Sequence, residues 1–310
     1  MYKKILINSV LFTTALSAQN IIPLANINGN VGNGLKEGIL KIALSHESCT
    51  KDSAYHGSNK VIDPKQRIMD VNINKLKLRY GLGNGFDVRA IFTHKDKTFT
   101  YLHPMSSARY KNTNKGLGDT LVIGRYEILN QKKGDSVFLS VGAGVKLPTG
   151  STSKTFNSPA GDTKFPIMQL GSGSTDYLAE VGISRFLPNS RIDAHMIYTQ
   201  TTKGDNNYQF GDKLKWNIGY SYAINNALDV QLELDGSHCK KHKSSGIEVD
   251  STGGTFTYIT PGIHYKINKQ YNIGAGYAYL LKRDNNFDTA SNTGGLSETG
   301  KLIFQLVMTF

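Results

Sequence analysis

Cysteine, tryptophan and acidic side chains are scarce in this 310-residue chain: 2 Cys, 1 Trp and 24 Asp plus Glu against 36 Lys plus Arg. Two cysteines, Cys49 and Cys239, allow at most one intramolecular bridge and exclude a disulfide-built scaffold. The resulting net charge of +12 brings nucleic acid to mind. Yet no phosphate loop, dinucleotide fingerprint or basic-aromatic motif stands in the context it would need, so no nucleic acid is expected as a partner. The most telling absence is apolar length. No segment approaches the ~18 continuous apolar residues of a spanning helix, so a membrane-integral form of this chain has to be a closed β-barrel.

What is present points that way. The last ten residues alternate Leu302, Phe304, Leu306, Met308 and Phe310 with polar or smaller neighbours, and the chain stops on an aromatic residue. A period of two with an apolar outward face is the pattern of a lipid-facing strand, and Phe310 is the expected membrane-insertion signal for the outer-membrane assembly machinery. At the other end, Lys3 and Lys4 precede an apolar stretch from Ile5 to Leu16 and the small residues Ala15, Ser17 and Ala18. This predicts a cleaved secretory signal over residues 1–18. Residues 19–34, rich in Asn and Gly, are either a disordered periplasmic lead-in or a plug folded into a lumen, and residues 35–310 are the expected barrel.

About twelve alternating segments can be read, near 35–48, 67–80, 86–101, 118–130, 135–148, 174–187, 191–202, 213–224, 227–238, 255–267, 270–283 and 300–310. The connections between them alternate strictly. Long polar loops (46–66, 102–116, 149–173, 201–212, 239–254, 284–299) take turns with tight ones such as Gly81–Gly85, Pro188–Ser190 and Asn225-Asn226. Short periplasmic turns and long external loops define an all-β, transmembrane, antiparallel up-and-down barrel in the Gram-negative outer membrane. Its lysines then face anionic lipid and lipopolysaccharide. Parity sends Leu228, Val230, Leu232 and Leu234 to lipid and Asp229, Gln231, Glu233 and Asp235 to the lumen.

The fourth to sixth segments carry Gly116-Leu117-Gly118-Asp119 leading into Arg125-Tyr126, then Gly144-Val145-Lys146-Leu147-Pro148-Thr149-Gly150, then Gln169-Leu170-Gly171-Ser172-Gly173-Ser174-Thr175-Asp176. With weaker echoes at Arg79-Tyr80-Gly81-Leu82 and Pro261-Gly262, this order resembles an outer-membrane transporter family named for the meta-pathway of phenol degradation. The resemblance implies a monomeric barrel that passes small, hydrophobic or aromatic molecules.

By parity, Asp119, Arg125 and Glu127 share the inward face of the fourth strand, with Lys146 inward on the fifth and Asp176 and Glu180 inward on the sixth. Opposite charges at neighbouring inward positions pair across strands, so one cluster is expected, as a selectivity lining or as a structural ion-pair network. Cys49 and Cys239 fall at outward strand ends, and a disulfide between them would require their loops to fold over the mouth.

Two chemical motifs carry less. His46 and Ser48 share a strand face, as in a surface lipase, but no orienting Asn or Asp can be assigned. His238-Cys239-Lys240-Lys241-His242 has zinc-ligand types yet reads as a solvated basic loop. The chain is therefore expected to be no enzyme, to need no metal or cofactor, and to work as a passive channel for a small solute. The alternative is a non-conducting structural or surface-interaction barrel, with an outer-membrane lipolytic enzyme third.

Overall fold

The computed structural model describes residues 21–103, 107–158, 161–288 and 293–310. The expected signal, residues 1–18, lies outside them.

Twelve antiparallel strands close on themselves: β1 (Leu40–His56), β2 (Ile68–Gly83), β3 (Phe86–Leu102), β4 (Thr120–Leu129), β5 (Phe138–Leu147), β6 (Asp176–Leu187), β7 (Ser190–Gln200), β8 (Lys213–Ala223), β9 (Leu228–Cys239), β10 (Gly254–Lys266), β11 (Tyr271–Asn285) and β12 (Gly300–Thr309). Each pairs with its neighbours in sequence, and β1 closes the ring by pairing with β12 from Lys41↔Thr309 to Ser48↔Leu302. No backbone edge is left for lipid, which is why a barrel can span where an open sheet cannot.

Two-residue turns are built where backbone twist demands them. Gly83 pairs with Phe86 across Asn84-Gly85, and both turn residues have positive φ (+49° and +83°), the geometry in which Asn and Gly join two strands tightly.

The outer face is apolar only over part of each strand. On β1 it reads Leu40, Ile42 and Leu44, then His46, Ser48 and Thr50; on β3 it reads Phe86, Val88, Ala90 and Phe92, then His94 and Asp96. The lipid band thus occupies the half nearest the short turns, flanked by exposed Tyr80, Phe86, Tyr126, Tyr222 and Tyr265.

Above that band the wall continues through segments expected as loops. Strand β1 runs to His56 rather than ending near residue 48. Residues Arg109–Leu117 form a strand on the outer half of β3, from His94↔Leu117 to Leu102↔Arg109. Residues Thr293–Glu298 extend the wall beside β1. Polar side chains on both faces hide these strands from a search for apolar alternation, because above the bilayer neither face needs to be apolar.

Candidate functional site, the occupied lumen

The inward face is polar and crowded. Asp87, Asp193, Asp229, Glu233 and Ser184 are at most 2 % exposed, a cost that only pairing and hydrogen bonds can offset.

Much of that pairing comes from the chain's own amino-terminal segment. Residues 21–34 rise from the short-turn end and return to it. On the way up, the Ile21 amide donates to Asn189 Oδ1 (3.0 Å), the Leu24 amide to Asp229 Oδ2 (2.8 Å) and the Ile27 amide to Glu233 Oε1 (2.7 Å). Near the tip, Asn28 Nδ2 donates to Asp235 Oδ2 (3.1 Å) and Thr260 Oγ1 (3.3 Å). On the way down, Asn30 Nδ2 donates to Glu180 Oε1 (3.2 Å), the Gly32 amide to Ser184 Oγ (2.7 Å) and the Gly34 amide to Glu127 Oε2 (2.6 Å). Arg79 and Arg125 donate to the carbonyls of Asn33 and Val31. Ile27 adds an apolar anchor among Tyr258, Ala278, Leu280 and Ile303.

The wall makes room for this segment with glycine. A Cβ on Gly182 would stand 2.7 Å from the Val31 carbonyl oxygen, and one on Gly219 would overlap the Asn26 amide at 2.3 Å. Reciprocally, a Cβ on Gly32 would meet the backbone of β5 and β6 at 2.5–2.6 Å. The close approach requires glycine on both partners.

The charged residues expected as one cluster divide into two. The deeper group centres on Glu180, paired with Arg125 Nε (2.9 Å), Arg89 Nη2 (2.6 Å) and His195 Nε2 (3.3 Å). Arg125 also approaches Asp87 (3.7 Å), which is held by Arg79 at 2.6 Å. The upper group is Lys146 between Asp119 (3.2 Å) and Asp176 (2.7 Å). Glu127 joins neither; it accepts from Gly34 and from Asn130. Sequence reading missed Arg79, Asp87, Arg89 and His195, although Asp87 and Arg89 alternate with outward Phe86, Val88 and Ala90 and so announce their inward face.

The upper group is a latch for the loop between β5 and β6. Asp119 accepts from the Gly150 amide (3.0 Å) with one oxygen and from the Ser172 amide (3.0 Å) and hydroxyl (2.9 Å) with the other. Gly118, Gly150 and Gly171 pack backbone to backbone here: a Cβ on Gly150 would lie 2.7 Å from Gly171 Cα and 2.9 Å from the Gly118 carbonyl carbon. The three motifs quoted above for the family resemblance thus meet at one point. Asp176 extends the latch to the next loop by accepting from the Thr202 amide (3.0 Å). Farther out, Phe156 and Met168 of the loop bury against Phe99 and Tyr101 of β3, while Lys95 and Lys97 donate to the carbonyls of Leu170 and Gln169 (2.6 and 2.8 Å).

Between the amino-terminal segment below and Gln169–Ser172 above lies a cavity of about 700 Å³.

The thiols of Cys49 and Cys239 are free in this structure. Cys49 sits within β1, not at its end, because that strand continues to His56. Cys239 Sγ lies 4.0 Å from His242 Nε2, whose Nδ1 meets Tyr208 OH at 2.7 Å in a small outer sheet formed by residues 208–209, 242–244 and 247–249. His238 is directed away, onto Thr255 Oγ1 (2.8 Å). His46 and Ser48 lie on the outer face, with His46 Nδ1 on Asn74 Oδ1 (2.8 Å). Phe310 closes the ring by mutual backbone hydrogen bonds with Leu40 (2.9 Å each) and sets its ring edge-on to Tyr271.

A closed twelve-strand wall, an apolar belt with tyrosines at its rim and a polar lumen define an integral outer-membrane β-barrel. The family described as "Putative MetA-pathway of phenol degradation" matches residues 77–294, and the chain belongs to it. The fold is shared with an outer-membrane channel from Pseudomonas putida F1, with a TM-score of 0.69 at 14 % identity over 92 % of this chain and 100 % of that one. Weaker likenesses are the translocator domain of the autotransporter NalP from Neisseria meningitidis (TM-score 0.45, 11 % identity, 90 % of each chain) and OmpT, an outer membrane protein of Vibrio cholerae (TM-score 0.42, 7 % identity, 88 % of this chain and 96 % of that one). No curated protein sequence matches.

Proposed function

We propose that this barrel is a gated outer-membrane channel for a small solute, with residues 21–34 as its periplasmic plug and the β5–β6 loop as its outer cover. The observation that carries the reading is the cavity of about 700 Å³ held between these two segments. Side chains fill the interior of a barrel of about eight strands; this wider one keeps an open space of about 700 Å³ and bounds it with two pieces of chain fastened by hydrogen bonds. The charged groups divide the labour: the Glu180 group holds the plug and the Asp119 group holds the cover. No chemical step is proposed: the structure supplies the orienting group that the sequence did not show, Asn74 Oδ1 on His46 Nδ1 (2.8 Å), but among the described residues no hydrogen bond joins the Ser48 hydroxyl to that imidazole.

The protein is taken as a monomer in contact with lipid and lipopolysaccharide, and β12, ending at Phe310, as the strand that the assembly machinery reads. Planar-bilayer recording of the purified chain, beside a variant lacking residues 21–34, tests the channel. Rare or small openings in the intact chain and frequent ones in the variant are expected. If both are silent and liposomes containing either protein take up no solute, the non-conducting structural barrel replaces this reading.

A further inference from the structure

The cavity is strongly unbalanced in charge: eleven Lys or Arg side chains line it against four Asp or Glu. Most of the cations are accounted for. Lys75 pairs with Glu47, Lys146 with Asp119 and Asp176, and Lys301 with Glu298, while Lys95 and Lys97 donate to loop carbonyls. Among the described residues, Lys41, Lys77, Lys213 and Lys215 have neither a carboxylate within ion-pair distance nor a hydrogen-bond partner.

Strands β2 and β8 are six steps apart in the ring of twelve, so Lys77 and Lys215 stand on opposite walls of the one cavity they line. Lys215 lies in the field of Lys213, Lys75 and Lys301, and Lys77 in that of Lys75 and Arg89; Glu47 acts on both and Glu233 on Lys77, each beyond ion-pair distance, so cations outnumber carboxylates around the pair. Like charges gathered in a low-dielectric vessel raise the local concentration of the opposite charge. A second property of the wall narrows the class further. Ile91, Leu121, Leu178 and Ile197 also point into the cavity, and Ile197 is the direct cross-strand neighbour of Lys215. The wall thus offers apolar surface immediately beside unpaired ammonium groups.

We propose that this cavity binds a small amphiphilic organic anion, an aromatic or alkyl carboxylate, with its carboxylate on the unpaired lysines and its apolar body on the Ile91, Leu121, Leu178 and Ile197 strip. The proposal rests on the channel reading and names the solute class for that lumen; a space of about 700 Å³ is within the range of small-molecule sites. A purely hydrophobic solute would leave the lysines uncompensated, and a bare inorganic anion would leave the apolar strip unused.

Calorimetric titration of the folded protein in detergent, with benzoate and with its uncharged relative benzyl alcohol, tests the site. Benzoate is expected to bind at least tenfold more tightly than benzyl alcohol and to weaken as salt is raised. In a Lys77→Gln, Lys215→Gln double variant of unchanged heat-dependent gel mobility, benzoate affinity is expected to fall at least tenfold. In a salt gradient across a planar bilayer, the intact channel should be anion-selective, and a Lys77→Glu, Lys215→Glu variant should shift its reversal potential toward cations.

Equal affinity for the two probes, or benzoate binding indifferent to both salt and the lysines, overturns the proposal even if the channel conducts. Benzoate binding that depends on the lysines in a protein that never conducts leaves the site standing and removes the channel.

Discussion

The Asp119 carboxylate, one residue before β4, and the Lys146 ammonium of the adjacent β5 lie 3.2 Å apart, and Asp119 spends its remaining acceptor capacity on the Gly150 and Ser172 backbone amides. One side chain therefore fixes both ends of a loop that begins and ends more than twenty residues apart in sequence. Asp119→Ala removes these hydrogen bonds while Lys146 keeps Asp176. A local loss of about 2–4 kcal/mol is expected from charge-assisted hydrogen bonds of this kind. The measurement is trypsin cleavage on intact cells: faster cutting after Lys154 or Lys164 than in the parent, with the barrel still running as a folded band. Unchanged cleavage would show that the Phe156 and Met168 packing holds the loop alone.

Arg125 is almost fully buried, between Glu180, Asp87 and the Val31 carbonyl. Replacing it by Gln leaves Glu180 with Arg89 and Asp87 with Arg79, but removes a charge-assisted bond to the amino-terminal segment. Breaking a buried pair typically costs about 3–5 kcal/mol. The unfolding temperature should fall and bilayer openings should lengthen, with ion selectivity little changed because Arg125 lies beneath the cavity. A large selectivity change without loss of stability would return Arg125 to the conducting path.

Gly182→Val places side-chain atoms where the Val31 carbonyl now lies. The wall strands do not need that space, so the barrel should assemble normally while residues 21–34 are displaced. Hydrogen exchange of the 24–34 amides should rise toward unprotected rates, and conductance should approach that of the deletion. Protection equal to the parent's would mean that the segment can shift its register past the added side chain.

His242 in the outer sheet is held down to about 4, chiefly by burial, with Lys213 adding to it. A histidine in an unfolded loop takes up its proton near ~6.5. Between about pH 6.5 and 4 the unfolded loop therefore binds more protons than the folded one, and stability falls as pH falls through that window; above it there is no effect. Amide exchange at His242–Ser244, corrected for intrinsic rates, should accelerate from pH 7 to pH 5 in the parent and much less in His242→Phe.

The barrel was legible because lipid imposes a rule that sequence can display. Every outward residue in the apolar belt must be apolar, and the tight turns need Asn and Gly. Legibility ended where that rule ends. Residues 49–56 and 109–117 are strands with water on the outside, and their alternation is polar with polar. The inward faces were assigned by parity, but parity says nothing of height along the barrel, so Asp119, Lys146 and Asp176 were grouped with Arg125 and Glu180 although they hold different segments. The partners of Glu127 and Glu180 on residues 30 and 34 were invisible for another reason. A segment such as Asn28-Gly29-Asn30 has no periodic signature, and its place is set by glycines at 182 and 219, far off in sequence.

The glycine-lined track of β6 and β8 has a kinetic implication. Residues 21–34 are joined to β1 through Leu35–Ile39 alone, so the segment is a ligand on a short leash whose effective concentration at its own groove is of millimolar order. Its return after release is unimolecular, and occupancy does not depend on how many copies the membrane holds. A ligand that needed the groove itself would compete with an occupant that dilution cannot remove. The leash of five residues therefore sets one constant factor by which any ligand of the vacated groove is weakened, the same at every copy number.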